Sequence, residues 1–331
     1  MKFKRFTRYI NKLYGAGDLG SDFVCLDMGS RIIKACCVKK NLISDIYIEK
    51  NTNNVESAIE LLKKNHLTSK RVQIAVKGPD TIIRYVTFPK IEKSGLREAF
   101  GYELSKYVPF PTDSLYYDIF ILNENYSKDE LLILLAVARK ELIDGIIDAF
   151  EREKITVSGI TLGGLALINL FCVNNNQDTN IALVDIGYSS ILLNLLKKGI
   201  PFLSREIKIS GKSIIERFSK SEDTDKETAE KKLIELNDPK SFTEIEGEIL
   251  FELADEIRNS FDYFEMNTGE QIQEIYISGG FSNIRGVEET LSPLLGIKLK
   301  LWDPWENCRF DAKGQIAFPK EALCTLLGIS I

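Results

Sequence analysis

A stretch of this chain occurs twice, in register and without gaps. Phe23–Leu42 (FVCLDMGSRIIKACCVKKNL) lies over Ile181–Ile200 (IALVDIGYSSILLNLLKKGI) at an offset of 158 residues, 27 to 185. Asp27 falls on Asp185, Gly29 on Gly187, Ser30 on Tyr188, and Lys39-Lys40 on Lys197-Lys198. Each copy reads as an apolar strand, an Asp-x-Gly turn, a second apolar strand and a Lys-Lys-Asn or Lys-Lys-Gly turn. Asn41 and Gly199 supply the left-handed residue that a hairpin turn prefers. Two copies of one hairpin imply two similar lobes facing each other, and 331 residues suffice for both, since a domain usually holds roughly 100–200.

Such a turn suits phosphate. Glycine at the bend lets backbone N–H groups approach an anion with no Cβ in the way. Ser30 in the first copy, and Ser189 and Ser190 in the second, add hydroxyl donors. Asp27 and Asp185 would repel phosphate unaided, but a magnesium ion and its waters between them remove the conflict. One Asp-x-Gly-Ser is an ordinary turn; the duplicated hairpin is far more specific. A third element, Ile275–Gly280 (IYISGG), is a strand ending in a double glycine that would let a nucleotide's sugar or α-phosphate lie on the backbone. Phe281–Gly286 follows it, then a helix expected from Val287. Standing alone, that segment is a plain strand-to-helix turn.

Composition narrows the remaining classes. At 44% hydrophobic and 27% charged residues, the chain has ample apolar surface to fold. Its longest apolar run, Leu131–Ala138, falls far short of the roughly 18 residues that span a bilayer, and no apolar segment after the basic N-terminus makes a secretory signal. A net charge of −5 argues against nucleic acid as a partner. The 6 cysteines (25, 36, 37, 172, 308 and 324) show no C-x-x-C spacing, and Cys36 and Cys37 point to opposite faces of one strand, so buried thiols in a reducing cytosol are expected. The single histidine, His66, closes a helix expected over Glu56–His66, and triads built on histidine are excluded. Ser210-Gly211-Lys212-Ser213 imitates the end of a P-loop, but Glu206 stands where its first glycine belongs, so Ser210 reads as a helix N-cap with at most a modest nucleotide role for Gly211 or Lys212. In a long helix expected from Thr243, Ile245, Ile249, Leu253, Ile257, Phe261 and Phe264 recur at spacings of three and four, a core stripe. Ser219–Lys232 reads as a solvated tip. The arm Met1–Gly20 carries Lys2, Lys4, Arg5, Arg8 and Lys12 among apolar residues. It reads equally as a polar tail and as a helix lying reversibly on an anionic membrane through residues 1–14, with Gly15–Gly20 as a hinge.

Asp27-Met28-Gly29-Ser30, Asp185–Ser190 (DIGYSS) and Ser278-Gly279-Gly280 resemble the phosphate-1, phosphate-2 and adenosine motifs of the superfamily of actin, heat-shock chaperones and sugar kinases. Within it the chain resembles, over nearly its whole length, the PilM family of type IV pilus assembly proteins, relatives of the division protein FtsA. Arg84–Pro89, Leu96–Phe110 (LREAFGYELSKYVPF) with Pro111, Val137–Glu141 (VARKE) and Glu256–Phe264 (EIRNSFDYF) carry that likeness, the last departing from the family pattern at Asn259. The resemblance implies an α/β, two-lobed actin-like ATPase fold with duplicated RNase H-like lobes. Its parts would be a basic arm (1–22), a first lobe core (23–70, 155–179 and 305–331), an FtsA/PilM-type inserted subdomain (71–154), a second lobe core (180–209 and 270–304) and a helical subdomain (210–269). In the insert, helices are expected at Leu96–Tyr107 and Lys140–Glu153, and the last helix at Lys320–Leu327.

The resemblance also implies ATP and Mg as cofactors. The nucleotide set is then Asp27, Gly29, Ser30, Arg31, Lys34, Asp185, Gly187, Ser189, Ser190, Gly211, Lys212, Gly279, Gly280 and Phe281, with Asp27 and Asp185 on the magnesium through water. Two departures stand out: Arg31 replaces a second serine, and Gly163 and Gly164 replace an acidic residue and a proline, so binding with slow or absent hydrolysis is expected. The implied role is a cytoplasmic scaffold at the inner face of the inner membrane that accepts the N-terminal peptide of PilN in a groove around Arg84–Phe110, with pilus motor ATPases as further partners. An actin-like polymer or FtsA-type division protein is the alternative, expected to end in an amphipathic tail where this chain stops just past its last helix. A small-molecule kinase of the same fold comes third, lacking a further cleft aspartate.

Overall fold

The computed structural model describes residues 22–39, 42–174, 178–235, 239–284, 286–305 and 318–330. The basic arm, its hinge, Lys40, Asn41, Arg285, Cys308 and the side chain of Ile245 lie outside the described residues. The chain divides into two compact units. Of the described residues, 22–169 and 325–330 form the first, and 170–305 and 318–324 the second.

In the first unit, β1 (Asp22–Met28), β2 (Ile32–Lys39) and β3 (Leu42–Lys50) form an antiparallel meander, followed by α1 (Asn54–Lys64). β4 (Arg71–Val76) then lies parallel to β1, and β8 (Val157–Leu162) parallel to β4, giving the order β3-β2-β1-β4-β8. β1 and β2 are buried at nearly every position, which is why they read as unbroken apolar runs. Cys25 of β1 faces Cys36 of β2, while Cys37 is turned to the other face, and all three are buried thiols. His66 lies beyond the end of α1 with φ +57°, its N–H donating to Lys63 O at 3.1 Å.

Between β4 and β8 sits a separate three-stranded antiparallel sheet, β5 (Thr81–Pro89), β7 (Glu130–Arg139) and β6 (Leu115–Asn123) in that order. Helix α2 (Lys93–Glu103) covers it, burying Leu96 and Phe100 with Leu104 against Phe88, Ile133, Leu135 and Val137. Arg97 fastens α2 to β6 through Asp118 Oδ1 (2.6 Å) and Tyr117 O (2.8 Å). α3 (Lys140–Arg152) leads back to β8. β4 therefore belongs to the five-stranded sheet, and the inserted sheet starts at Thr81 rather than at the expected boundary of 71.

The second unit repeats the first sheet. β9 (Ile181–Ile186), β10 (Ile191–Lys197) and β11 (Ile200–Ile207) are antiparallel, and β12 (Glu274–Ser278) and β13 (Leu299–Leu301) join in parallel, in the order β11-β10-β9-β12-β13. The β10–β11 turn places Lys198 at φ +48° and Gly199 at +79°, the left-handed pair expected of a tight hairpin. Here the insertion is helical: α5 (Gly211–Ser221), α6 (Lys226–Glu235) and α7 (Pro239–Thr268) precede β12, and α8 (Val287–Leu295) precedes β13. Ile249, Leu253, Ile257 and Phe264 of α7 are buried and Phe261 packs against them, so the stripe is core. Lys226 and Lys232 pair with Glu216 and Glu222 on an exposed face of α6 while Ala229 is buried, as the solvated-tip reading requires.

The division between units falls inside α4 (Gly163–Asn174), after Asn169. Asn169 bonds Gly328 O of α9 (Cys324–Ser330) in the first unit, whereas Phe171 packs edge-on against Tyr276 and Trp302 in the second. Residues 155–179 thus do not belong whole to the first lobe. Among the described residues, no helix is long and apolar enough to cross a membrane.

Candidate functional site

The first Asp-x-Gly turn closes between β1 and β2. Asp27 faces Lys34 across the strand pair and accepts its ammonium at 2.5 Å, both residues being buried. Burial opposes the charge on Asp27, but Lys34 and then Lys77 outweigh it and hold its carboxyl below the ordinary value. Its second oxygen, Oδ1, is shut off from solvent and has no hydrogen-bond partner among the described residues. Such an acceptor fits the donor that a metal-bound water would supply.

Both turn glycines have a reason beyond phosphate. A Cβ on Gly29 would lie 2.5 Å from Ile32 O, and one on Gly187 2.8 Å from Ser190 O, so each turn folds onto the carbonyl three residues ahead. Gly187 N–H is already donated to Ser190 O at 3.1 Å. The two turns are then fastened by different devices. Asn51, just after β3, donates from Nδ2 to Gly29 O (2.8 Å) and from its N–H to Arg31 O (2.9 Å). In the second copy the N-terminus of α5 does this work, Gly211 N–H donating to Gly187 O (2.9 Å) and Lys212 N–H to Tyr188 O (2.8 Å). Ser210 caps that helix by accepting from Ser213 N–H at 3.3 Å, so the P-loop look-alike is a capped helix start.

Asp185 is satisfied from the opposite side to Asp27. Leu192 faces it on β10, and Ser278 of the parallel neighbour β12 donates to its Oδ1 at 3.0 Å. Gly279 then passes over the Ile186 peptide with φ +96°; a Cβ there would sit 2.4 Å from Ile186 O, the carbonyl that accepts Phe281 N–H at 3.2 Å. Second-unit residues Asp185, Gly187, Gly211, Gly279 and Phe281 are thereby brought together. The Phe281 ring is buried in the core against Gly211, where a Cβ would meet it at 2.4 Å. Ser30, Ser189, Lys212 and Gly280 stay exposed, and Arg31 is half-buried. The Ser190 hydroxyl is donated to Glu206. Lys77, Asn51 and Ser278 are the contributors that sequence reasoning left out of the site; of these, only Ser278 stood in a motif already singled out.

A sequence profile for type IV pilus assembly protein PilM matches residues 29–329, from the first turn glycine through both units. The chain belongs to the PilM family. In three dimensions this PilM-family chain is similar to the PilM-PilN type IV pilus biogenesis complex, with a TM-score of 0.80 at 22% identity over 93% of this chain and 97% of that one. It is also similar to a Bacteroides thetaiotaomicron protein with actin-like ATPase fold and unknown function (TM-score 0.52, 9% identity, 87% of this chain and 93% of that one). A third likeness is to MreB5 of Spiroplasma citri bound to ADP (TM-score 0.50, 12% identity, 93% of this chain and 94% of that one). The fold is thus that of the actin-like ATPases, its two five-stranded sheets sharing one strand order.

Proposed function

We propose that this chain is an ATP-binding scaffold of the type IV pilus inner-membrane platform, working in the cytoplasm and docking the N-terminal peptide of a PilN-like membrane protein. One observation carries the nucleotide reading: the same Asp-x-Gly turn stands at the same strand end in two sheets of identical order, each aspartate buried. Burying two carboxylates at equivalent places costs stability unless each has a task or a partner. ATP is the ligand, and Asp27 and Asp185 would hold its magnesium through water, the metal offsetting phosphate charge. That a fold relative is named as bound to ADP agrees with this; that another is named as a complex with PilN supports the partner.

Hydrolysis is slow or absent in this reading. The carboxyl end of β8 leads into Gly163 and Gly164, which offer no group to orient water, and Glu153 is engaged with Lys63 at the surface (2.6 Å). The test is calorimetric titration of Mg-ATP into the full chain, with Asp27→Ala and Asp185→Ala alongside and phosphate release assayed in the same samples. The wild type should bind, both variants should lose binding, and phosphate release should stay near background. A wild type that takes up no nucleotide would sink the reading.

A further inference from the structure

Three parallel strands of the first unit end side by side. Asp27 near the end of β1 is level with Ala75 of β4, and Val76 of β4 with Leu162 of β8. In open α/β sheets ligands gather outside such carboxyl ends. Lys77 follows β4 directly and is half-buried. Its side chain runs across Gly163, the first residue of α4, so closely that a Cβ there would meet Lys77 Cγ and Cε at 2.5 Å and Cδ at 3.0 Å. That course exists only because position 163 has no side chain. At the end of β1, Lys34 holds one oxygen of Asp27 at 2.5 Å, while the other, Oδ1, is buried with no hydrogen-bond partner among the described residues. Backbone N–H groups at the head of a helix such as α4 favour anions as well.

We infer that Lys77 is a ligand-contacting residue, binding a phosphate group above Gly163 in an anion seat formed by the ends of β1, β4 and β8. Taking that phosphate to belong to ATP rests on the nucleotide reading above; the seat's preference for a polyphosphate does not. Lysine at 77 and glycine at 163 act as one device, since the second makes the path of the first.

The experiment titrates Mg-ATP and, separately, Mg-tripolyphosphate into the full chain and its Lys77→Met, Lys77→Arg and Gly163→Ala variants. Thermal denaturation without ligand shows that each variant folds. Losing one charge-assisted contact should weaken binding on the order of tenfold in Lys77→Met. Gly163→Ala should weaken it similarly by displacing the lysine, and Lys77→Arg should retain most affinity. If the wild type binds and Lys77→Met binds equally well, the inference is overturned while the nucleotide reading stands. If tripolyphosphate binds in a Lys77-dependent way and ATP does not, the nucleotide reading fails and the seat remains. A wild type that binds neither overturns both.

Discussion

Asp27 and Asp118 are both buried carboxylates beside a cation, yet their acidities move in opposite directions. For Asp118, burial raises the value more than Arg97, about a third exposed at 36%, can lower it. For Asp27, burial is opposed by Lys34 and Lys77 together, and the charged form wins. The signs follow by linkage. A depressed folded value means that Asp27 stabilises the native state above its ordinary value and loses this as pH falls through the folded one. A raised value means that charged Asp118 costs stability at neutral pH, a cost relieved as pH falls through its folded value. Asp27→Asn leaves the buried Lys34 ammonium without its counter-charge and should cost about 3 kcal/mol at neutral pH, read by urea denaturation. That deficit should narrow as pH drops below about 4, where the carboxyl of the unfolded wild-type chain takes up protons while folded Asp27, with its depressed value, still holds its charge. A deficit unchanged down to about pH 3 would show that the ion pair is not its source.

At the scale of elements, the duplication runs well past the residues that announce it. β3 and β11 follow the two hairpins, and α1 and α5 follow those, although Leu42–Lys50 and Ile200–Ile207 share almost no residues in register. Strand identity survives there as burial and pairing alone, which many sequences satisfy. Equivalent turns are held by a side chain in one copy and by a helix N-terminus in the other. Because α5 carries the second turn, Ser210→Ala should cost about 1 kcal/mol of stability in urea denaturation, as lost N-caps do. It should also weaken Mg-ATP binding, while a variant with full stability and full affinity would remove α5 from the site. Element ends were the least legible: the helix expected over Leu96–Tyr107 spans Lys93–Glu103 and continues as a 3-10 turn, Leu104–Lys106. Lys320–Leu327 likewise opens as a 3-10 turn before α9. Fraying into tighter turns depends on what caps and packs the helix, not on its apolar period. The boundary at 71 moved for a related reason: RVQIAV is an apolar run suited to either sheet, and only its pairing with Asp22–Met28 assigns it.

For the molecule as a whole, the proposed docking of a PilN-like partner is the reading to test. A peptide from the N-terminus of a PilN-like protein should bind the full chain with about micromolar affinity by calorimetry. A peptide of scrambled sequence should not, and equal heats for both would remove the docking reading. The sequence by itself determined the two hairpins, the Asp-x-Gly turns, the family and most of the residues at the strand ends, because each is a short covalent pattern whose spacing is its meaning. What only the tertiary structure decided is who satisfies whom. Asp27 is held by Lys34 on its antiparallel side, and Asp185 by Ser278 on its parallel side, although both aspartates head an Asp-x-Gly turn. Lys77 and Gly163 are 86 positions apart in number and carry no shared motif, yet touch because β4 and β8 end together. Such partnerships are set by strand order and register across long insertions, and burial then favours a neighbour for each polar group brought there.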